Sequence, residues 1–89
     1  MAILIRSNGE EVRIYPKSKK FTLKELQSAV GGFIEVVRID KDFIMVMDEE
    51  GKLKCLSENH TATRLYRNVR YTDDYIVGDV LICNNEELE

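Results

Sequence analysis

The segment from Phe21 to Val37, FTLKELQSAVGGFIEVV, constrains the fold most, because it specifies both ends of a helix and the strand that follows. Thr22 is a favoured N-cap residue, and Glu25, three positions later, completes a capping box. Gly31 suits the left-handed conformation that ends many helices. The β-branched and apolar residues after the two glycines favour a strand. The sequence therefore predicts a helix that begins after Thr22 and ends near Val30, followed directly by a strand.

Several further segments have the composition of strands. At the N-terminus, AILIRS and EVRIYP flank Asn8-Gly9, which predicts a hairpin with a two-residue turn. FIEVVRI and DFIMVMD flank the polar residues 40–42, which predicts a second hairpin. After the turn at Gly51, KLKCL alternates between apolar and polar residues. We expect it to add a strand and to extend the second hairpin into a three-strand meander.

A second helix is predicted from about Ser57 to Arg70, with Ser57 or Asn59 as its N-cap. Apolar side chains recur at helical spacing in this segment, namely Ala62, Leu65, Tyr66 and Val69. The last apolar segment, YIVGDVLIC, is predicted as a strand interrupted at Gly78. A glycine inside a strand pattern is typical of a bulge or of a close approach by another backbone.

These elements predict an α+β fold in the order ββαβββαβ, with a mostly antiparallel sheet packed by two helices. A length of 89 residues allows one modest hydrophobic core. We therefore assign residues 1–83 to a single small domain and residues 84–89, NNEELE, to an acidic tail. The three glutamates of this tail account for the net charge of −3 and leave residues 1–85 neutral overall.

Composition excludes several classes of protein. A chain that is neutral outside its tail lacks the basic excess that duplex nucleic-acid binding requires. No apolar run has the length of a membrane span or of a signal-peptide core. We therefore expect a cytoplasmic protein that binds neither membranes nor duplex nucleic acid. Cys55 and Cys83 lack the spacing of a metal or redox site, so we expect two buried free thiols and no metal.

Glu35 is the first candidate functional residue. Strand alternation places it on the same face as the apolar Phe33 and Val37, where it would be partly buried. A half-buried carboxylate needs a partner or tends to keep its proton, and functional acids are tuned in this way. The alternative is a structural salt bridge, or an edge position at a subunit boundary. The sequence leaves both interpretations open.

The second candidate is the polar face of the second predicted helix. At about 100° per residue, His60, Arg64 and Arg67 lie on one stripe opposite the apolar side chains. Arginine binds phosphate and carboxylate groups through a bidentate fork, so this stripe predicts a ligand-binding site for an anion. The alternative is a solvated face whose arginines interact favourably with the helix dipole. Tyr71 adds an aromatic ring that could stack on a ligand.

Motifs of enzymatic chemistry are missing from the sequence. There is no phosphate-binding loop, dinucleotide fingerprint, zinc-protease motif or nucleophile elbow. No nucleophile accompanies His60 in a catalytic arrangement. We therefore expect a protein that is not an enzyme and that needs no cofactor. A small hydrolase that uses Glu35 and His60 remains as a further alternative.

Several segments resemble a family of small uncharacterised proteins: AILIRSNGE, FTLKELQSAVGGFIEVV, MDEEGKLKCL, the pair Asn59 and Ala62, and IVGDVLI. The family is a domain-of-unknown-function class met in bacteriophage, plasmid and gut-bacterial genomes. The resemblance spans nearly the whole domain, and AVGGFIEVV is its most specific part. It implies a mobile-element accessory protein in the cytoplasm of a bacterial host, with no established reaction or site.

Small phage accessory proteins commonly act by binding, and this analogy supplies the functional hypothesis. We expect a non-enzymatic, self-associating binding protein that sequesters a small anionic or nucleotide-like ligand. The ligand would contact His60, Arg64 and Arg67, with Glu35 and Tyr71 nearby. The alternative is a protein-protein interaction module that binds a host protein through an exposed sheet edge or through the acidic tail.

Overall fold

The computed structural model describes residues 2–88, which form a five-stranded sheet with one α-helix against each face. The elements are β1 (Ala2–Ile5), β2 (Glu11–Ile14), α1 (Leu23–Val30), β3 (Ile34–Arg38), β4 (Phe43–Asp48), α2 (His60–Arg70), β5 (Val80–Asn84) and a short 3₁₀ helix (Asn85–Glu87). The sheet order is β2-β1-β5-β4-β3, and all neighbouring strands are antiparallel. The α+β class is therefore confirmed, and the last strand of the chain occupies the centre of the sheet.

Two hydrophobic clusters lie on opposite faces of the sheet, because strand alternation sends neighbouring side chains to opposite sides. In β4, Ile44 and Val46 enter the cluster under α1, whereas Met45 and Met47 enter the cluster under α2. Burial on both faces explains the uninterrupted apolar sequence of this strand. The cluster under α1 also contains Ala2, Leu4, Phe21, Leu26, Val30, Leu81 and Cys83; the cluster under α2 also contains Ala62, Ile76 and Val80.

Helix α1 has the predicted boundaries. The Thr22 hydroxyl accepts a hydrogen bond from the Glu25 N–H at 3.2 Å, and the Glu25 carboxylate accepts one from the Thr22 N–H at 3.0 Å. These reciprocal bonds form the predicted capping box. At the other end, Gly31 has φ +89°, and its N–H donates to the Gln27 carbonyl at 2.8 Å. Both ends of α1 are therefore defined by residues within or next to the helix.

Helix α2 begins at His60, and its N-cap is Asn59, one of the two predicted caps. The Asn59 side-chain oxygen accepts a hydrogen bond from the Ala62 N–H at 3.0 Å. The helix ends at Arg70, and its C-cap Tyr71 adopts a left-handed conformation with φ +51°. Within residues 2–88, neither helix has the length and apolar character needed to cross a membrane.

The predicted two-residue turn at Asn8-Gly9 is wrong. The Arg6 N–H donates to the Glu10 carbonyl at 2.8 Å, and the Gly9 N–H donates to the Arg6 carbonyl at 2.9 Å. Residues 7–9 therefore form a three-residue loop, and Gly9 supplies its positive φ of +96°. A glycine at this position is common in three-residue hairpin loops.

The predicted strand KLKCL is also wrong. Residues 51–55 form turns, so the observed order is ββαββαβ. The buried Asp48 carboxylate organises this region, because it accepts hydrogen bonds from Lys54 Nζ at 2.8 Å and from the Glu50 N–H at 2.8 Å. Side-chain bonds of this kind compete with strand pairing. Burial alone would raise the pKa of Asp48, but these two bonds outweigh burial and hold the pKa below its usual value.

The final strand is shorter than predicted. It begins at Val80, because Gly78 has φ +77° and turns the chain just before it. Of the two cysteines that were expected to be buried, Cys83 is buried as predicted, whereas Cys55 is exposed on a turn. Burial raises the pKa of the Cys83 thiol to about 11.

The acidic segment after β5 lies against the domain. The Phe21 N–H donates to the Glu87 carbonyl at 2.6 Å, and Leu88 packs against the cluster under α1. Leu88 also forms an isolated β-bridge with Phe21. Met1 and Glu89, the outer ends of the predicted domain and tail, lie outside the described residues.

Candidate anion-binding surface on the second helix

Three of the predicted site residues share one surface of α2. His60, Arg64 and Arg67 are spaced by four and three residues, so their side chains project from the same side of the helix. They line one open depression with a volume of about 370 Å³. The other residues of this depression are Glu58, Thr63 and Asn68. The polar stripe expected from helical periodicity is therefore a single concave surface.

Arg67 is held in place by main-chain acceptors. Its Nε donates to the Asp74 carbonyl at 2.9 Å, and its Nη2 donates to the Asp73 carbonyl at 2.9 Å. These carbonyls are neutral, so they orient the guanidinium without cancelling its charge. Arg67 thus ties the loop after α2 to the helix and presents a fixed positive charge beside the depression.

Arg64 is exposed and makes no hydrogen bond or ion pair with any residue between 2 and 88. Its five N–H donors are available to a ligand. Asn68 lies one turn further along α2 and adds an amide that can donate or accept. Sequence reasoning missed Asn68, although its spacing of four residues from Arg64 places it on the same stripe.

His60 lies at the acidic end of the same depression. Its Nδ1 is 3.3 Å from a carboxylate oxygen of Glu58, and its side chain is largely exposed. The negative charge of Glu58 opposes binding of an anion at this end. The surface most suited to an anion is therefore the part between Arg64 and Arg67.

Neither Glu35 nor Tyr71 lines this depression, contrary to expectation. Glu35 belongs to the edge strand β3, where its side chain is exposed, so the predicted partial burial is wrong. It points to the α2 side of the sheet and is paired in register with Met47. Tyr71 follows the end of α2, is 93% exposed, and lines neither the depression nor the cleft that contains Glu35. Glu35 is exposed because its strand lies at the edge of the sheet, and Tyr71 is exposed because it follows the last residue of α2.

The cleft beside Glu35 has a volume of about 130 Å³ and is closed on one side by the loop after α2. Lys52 in this cleft forms an ion pair with Asp74, and its ammonium lies 4.4 Å from the centre of the Tyr75 ring. The hydrogen bond from Lys52 lowers the pKa of Asp74, and the same bond raises the pKa of Lys52. Since its lysine is already paired, this cleft suits an anion less well than the α2 depression.

Metal ligation has no support in the described part of the chain. No group of three or more His, Cys, Asp or Glu side chains between residues 2 and 88 is arranged to hold a metal ion. His60 and Glu35 also line separate surfaces. The hydrolase alternative requires both groups at one pocket, so this geometry does not favour it.

Comparison with known proteins identifies a matching family. The family described as Domain of unknown function (DUF3846) matches residues 1–89. No curated protein and no solved structure matches the chain.

Proposed function

The chain belongs to the DUF3846 family of domains of unknown function, and from this premise we propose that it is a non-enzymatic binding protein for a small anionic or nucleotide-like ligand. The ligand occupies the α2 depression, with its anionic group between Arg64 and Arg67. In this proposal the protein is an accessory protein of a phage or plasmid and acts in the cytoplasm of a bacterial host by sequestering the ligand.

One observation carries this proposal: two guanidinium groups on one concave surface form no salt bridge with a carboxylate of residues 2–88, although the Asp74 carboxylate interacts electrostatically with Arg67. Arg67 is oriented by the carbonyls of Asp73 and Asp74, and Arg64 is unpaired within residues 2–88. A guanidinium held by main-chain carbonyls and an exposed guanidinium can together form several charge-assisted hydrogen bonds to a phosphate or carboxylate. The open shape of the depression agrees with binding rather than with catalysis, which usually needs a site that excludes water.

Direct titration with inorganic phosphate, a nucleoside monophosphate and a nucleoside triphosphate tests this proposal. Chemical shifts of backbone amides should change along α2, and calorimetry gives the affinity. Arg64→Glu should weaken binding about tenfold or more, because it replaces a donor to the anion with a like charge. Lys19→Glu is the matched control, since it makes the same charge change in the exposed loop before α1.

The proposal fails if none of the three probes binds the wild-type protein, or if both variants lose affinity equally. Arg67 is a poor target for this test, because its substitution would also release the loop after α2. Recovery of each probe unchanged after incubation tests the non-enzymatic part of the proposal. Native mass spectrometry of protein exposed to bacterial lysate, followed by heat release, then identifies the natural ligand by its mass.

A second candidate is a protein-protein interaction module that binds a host protein through the β3 edge. The observation that favours it is the exposure of apolar side chains there, with Phe33 64% and Val36 45% exposed. The acidic segment is a less suitable contact, because Leu88 is packed against the core. Val36→Lys should abolish co-purification of one defined host protein, while Lys41→Val at the adjacent hairpin tip should not. Equal retention by both variants would exclude this edge.

A further inference from the structure

Strand β2 has an open hydrogen-bonding edge, because β1 is its only strand partner in the described sheet. The Arg6 N–H donates to the Glu10 carbonyl at 2.8 Å, and the register places Leu4 opposite Val12. Hydrogen-bonded and non-hydrogen-bonded pairs alternate along an antiparallel ladder. Leu4 and Val12 therefore form the next hydrogen-bonded pair, and the N–H and C=O groups of the residues on either side of Val12 point away from β1.

We propose that this edge pairs with the same edge of a second copy of the chain. The strands run antiparallel about a two-fold axis at Val12, which places Glu11 opposite Arg13 of the second copy and Arg13 opposite Glu11 of the second copy. Each such pair exchanges both of its main-chain hydrogen bonds, using the groups that β1 leaves open. The two sheets then become one continuous antiparallel sheet, and the interface is isologous.

The charges on β2 select this register. A two-fold axis perpendicular to the sheet brings together side chains that lie on the same face of the two sheets. Glu11 is paired in register with Ile5, and Arg13 is paired with Ile3, so both charged side chains lie on the α2 face. Opposite charges directly across a strand pair stabilise it, and like charges destabilise it. A shift of the axis to Glu11 places two glutamates opposite each other, and a shift to Arg13 places two arginines opposite each other. Only the register centred on Val12 makes both charge pairs attractive.

Val12 joins the hydrophobic clusters of the two copies. It is partly buried and packs against the cluster under α1. At the two-fold axis it faces Val12 of the second copy in a non-hydrogen-bonded pair, in which side chains approach most closely. The proposed dimer is therefore stabilised by an apolar contact between the two Val12 side chains on one face of the sheet and by charge pairs on the opposite face.

The other sheet edge is less suited to self-pairing. The Arg38 carbonyl on β3 already accepts a hydrogen bond from Arg70 Nη2 at 3.1 Å. This bond caps one of the groups that an added strand would need. Among the described residues, no side chain donates a hydrogen bond to the open main-chain groups of β2. Self-pairing at this edge does not depend on the ligand proposed for α2.

Sedimentation equilibrium of the purified chain tests the proposal, with the wild type expected at the mass of a dimer. Arg13→Glu and Glu11→Arg should each raise the dimer dissociation constant about tenfold or more, because both charge pairs become repulsive. An equimolar mixture of these two variants should restore dimers, and so should the double variant E11R/R13E. Arg38→Glu on β3 is the control and should leave the dimer unchanged.

Amide hydrogen exchange gives a second measurement that needs no substitution. The amides of Glu11 and Arg13 should be protected in the wild type and should lose protection on dilution. A monomeric wild type, fast exchange of these two amides at high protein concentration, or failure of the mixed variants to associate would each overturn the proposal.

Discussion

The two helices of this domain begin with similar capping bonds but depend on different parts of the chain. At α1, Thr22 and Glu25 cap each other within one turn. At α2, Asn59 caps the helix with its side-chain oxygen, while its amide nitrogen donates to the Ile5 carbonyl at 2.8 Å and to the Gly78 carbonyl at 2.9 Å. The cap of α1 is therefore local, whereas the cap of α2 also bonds to β1 and to the loop before β5.

The ends of the helices differ in the same way. Gly31 adopts its left-handed conformation without a Cβ, and a Cβ added there would contact nothing within 4 Å. Tyr71 adopts a left-handed conformation with a side chain, which costs about 1 kcal/mol or more. Its strain is tolerated because Arg67 holds the following loop against α2. The end of α1 at Gly31 is thus free of backbone strain, whereas the end of α2 at Tyr71 is strained and is held by contacts with the following loop.

The largest expected effect comes from Asn59→Ala, which should destabilise the domain by about 3 kcal/mol. It removes the cap of α2 and leaves two buried carbonyl groups without their donor. Urea unfolding followed by circular dichroism measures this loss. Asn59→Ser keeps a capping oxygen and should recover about 1 kcal/mol of it. Full recovery by serine would show that the long-range bonds contribute nothing.

The next effect tests the ion pair between Lys54 and Asp48, which lies near the end of α1. Lys54→Met should cost about 2 kcal/mol at neutral pH, because it leaves the buried Asp48 carboxylate without its ammonium partner. Lys54 Nζ also lies 3.4 Å from the Gly31 carbonyl. Lys54→Arg, which keeps the charge, is the control.

The pH dependence of this pair has a defined sign. The hydrogen bonds from Lys54 and the Glu50 N–H outweigh burial and hold the folded-state pKa of Asp48 below the usual 3.8 of an aspartate. Its contribution to stability is therefore fully present above that pH and is lost as the pH falls through the folded pKa. The difference between the wild type and Lys54→Met should therefore shrink on acidification. A difference that stays constant from neutral pH to pH values well below 3.8 would contradict this assignment.

Gly31→Ala should destabilise the domain by about 1.5 kcal/mol. The cause is backbone strain alone, since the added methyl group has free space. Thermal unfolding measures the effect, and Ser28→Ala on the exposed face of α1 is a control that should change stability little. A neutral Gly31→Ala would mean that the end of α1 does not need a left-handed residue.

Thr22→Ala should cost about 1 kcal/mol, because it removes a cap that makes no long-range bond. The comparison between the helices predicts that this loss is smaller than the loss from Asn59→Ala by a factor of about three. Chemical denaturation of both variants under the same conditions measures the ratio. Equal losses would remove the distinction between a local and a long-range cap.

The smallest expected effect is a gain of about 0.5 kcal/mol from Tyr71→Gly. Glycine relieves the strain of the left-handed conformation. The free energy gained exceeds the entropic cost of the greater flexibility that glycine gives the unfolded chain. Little contact is lost, because the ring is exposed. An increase in melting temperature checks the prediction, and a decrease would indicate that the ring stabilises the fold. Ligand titration of the same variant tests whether Tyr71 contributes to binding.

The candidate site shows the same division between local and long-range information. Helical periodicity was enough to place His60, Arg64 and Arg67 on one surface, because side-chain direction in a helix follows from spacing alone. Periodicity could not show that Glu58 faces His60, that Arg67 bonds to the next loop, or that Glu35 lies on an edge strand. Those facts depend on the path of the chain outside the helix.

Capping, alternation and periodicity act over a few neighbouring residues, so α1, the apolar run of β4 and the polar stripe of α2 could be predicted from the sequence alone. KLKCL forms turns because the Asp48 carboxylate accepts hydrogen bonds from Lys54 and from the Glu50 N–H, a local arrangement that the alternating pattern of KLKCL does not reveal. The residue that caps α2 depends on the tertiary structure, because only Asn59 can bond to Ile5 and Gly78 at the same time. Bonds between distant residues exist only when the whole sheet has formed, so no local pattern encodes them.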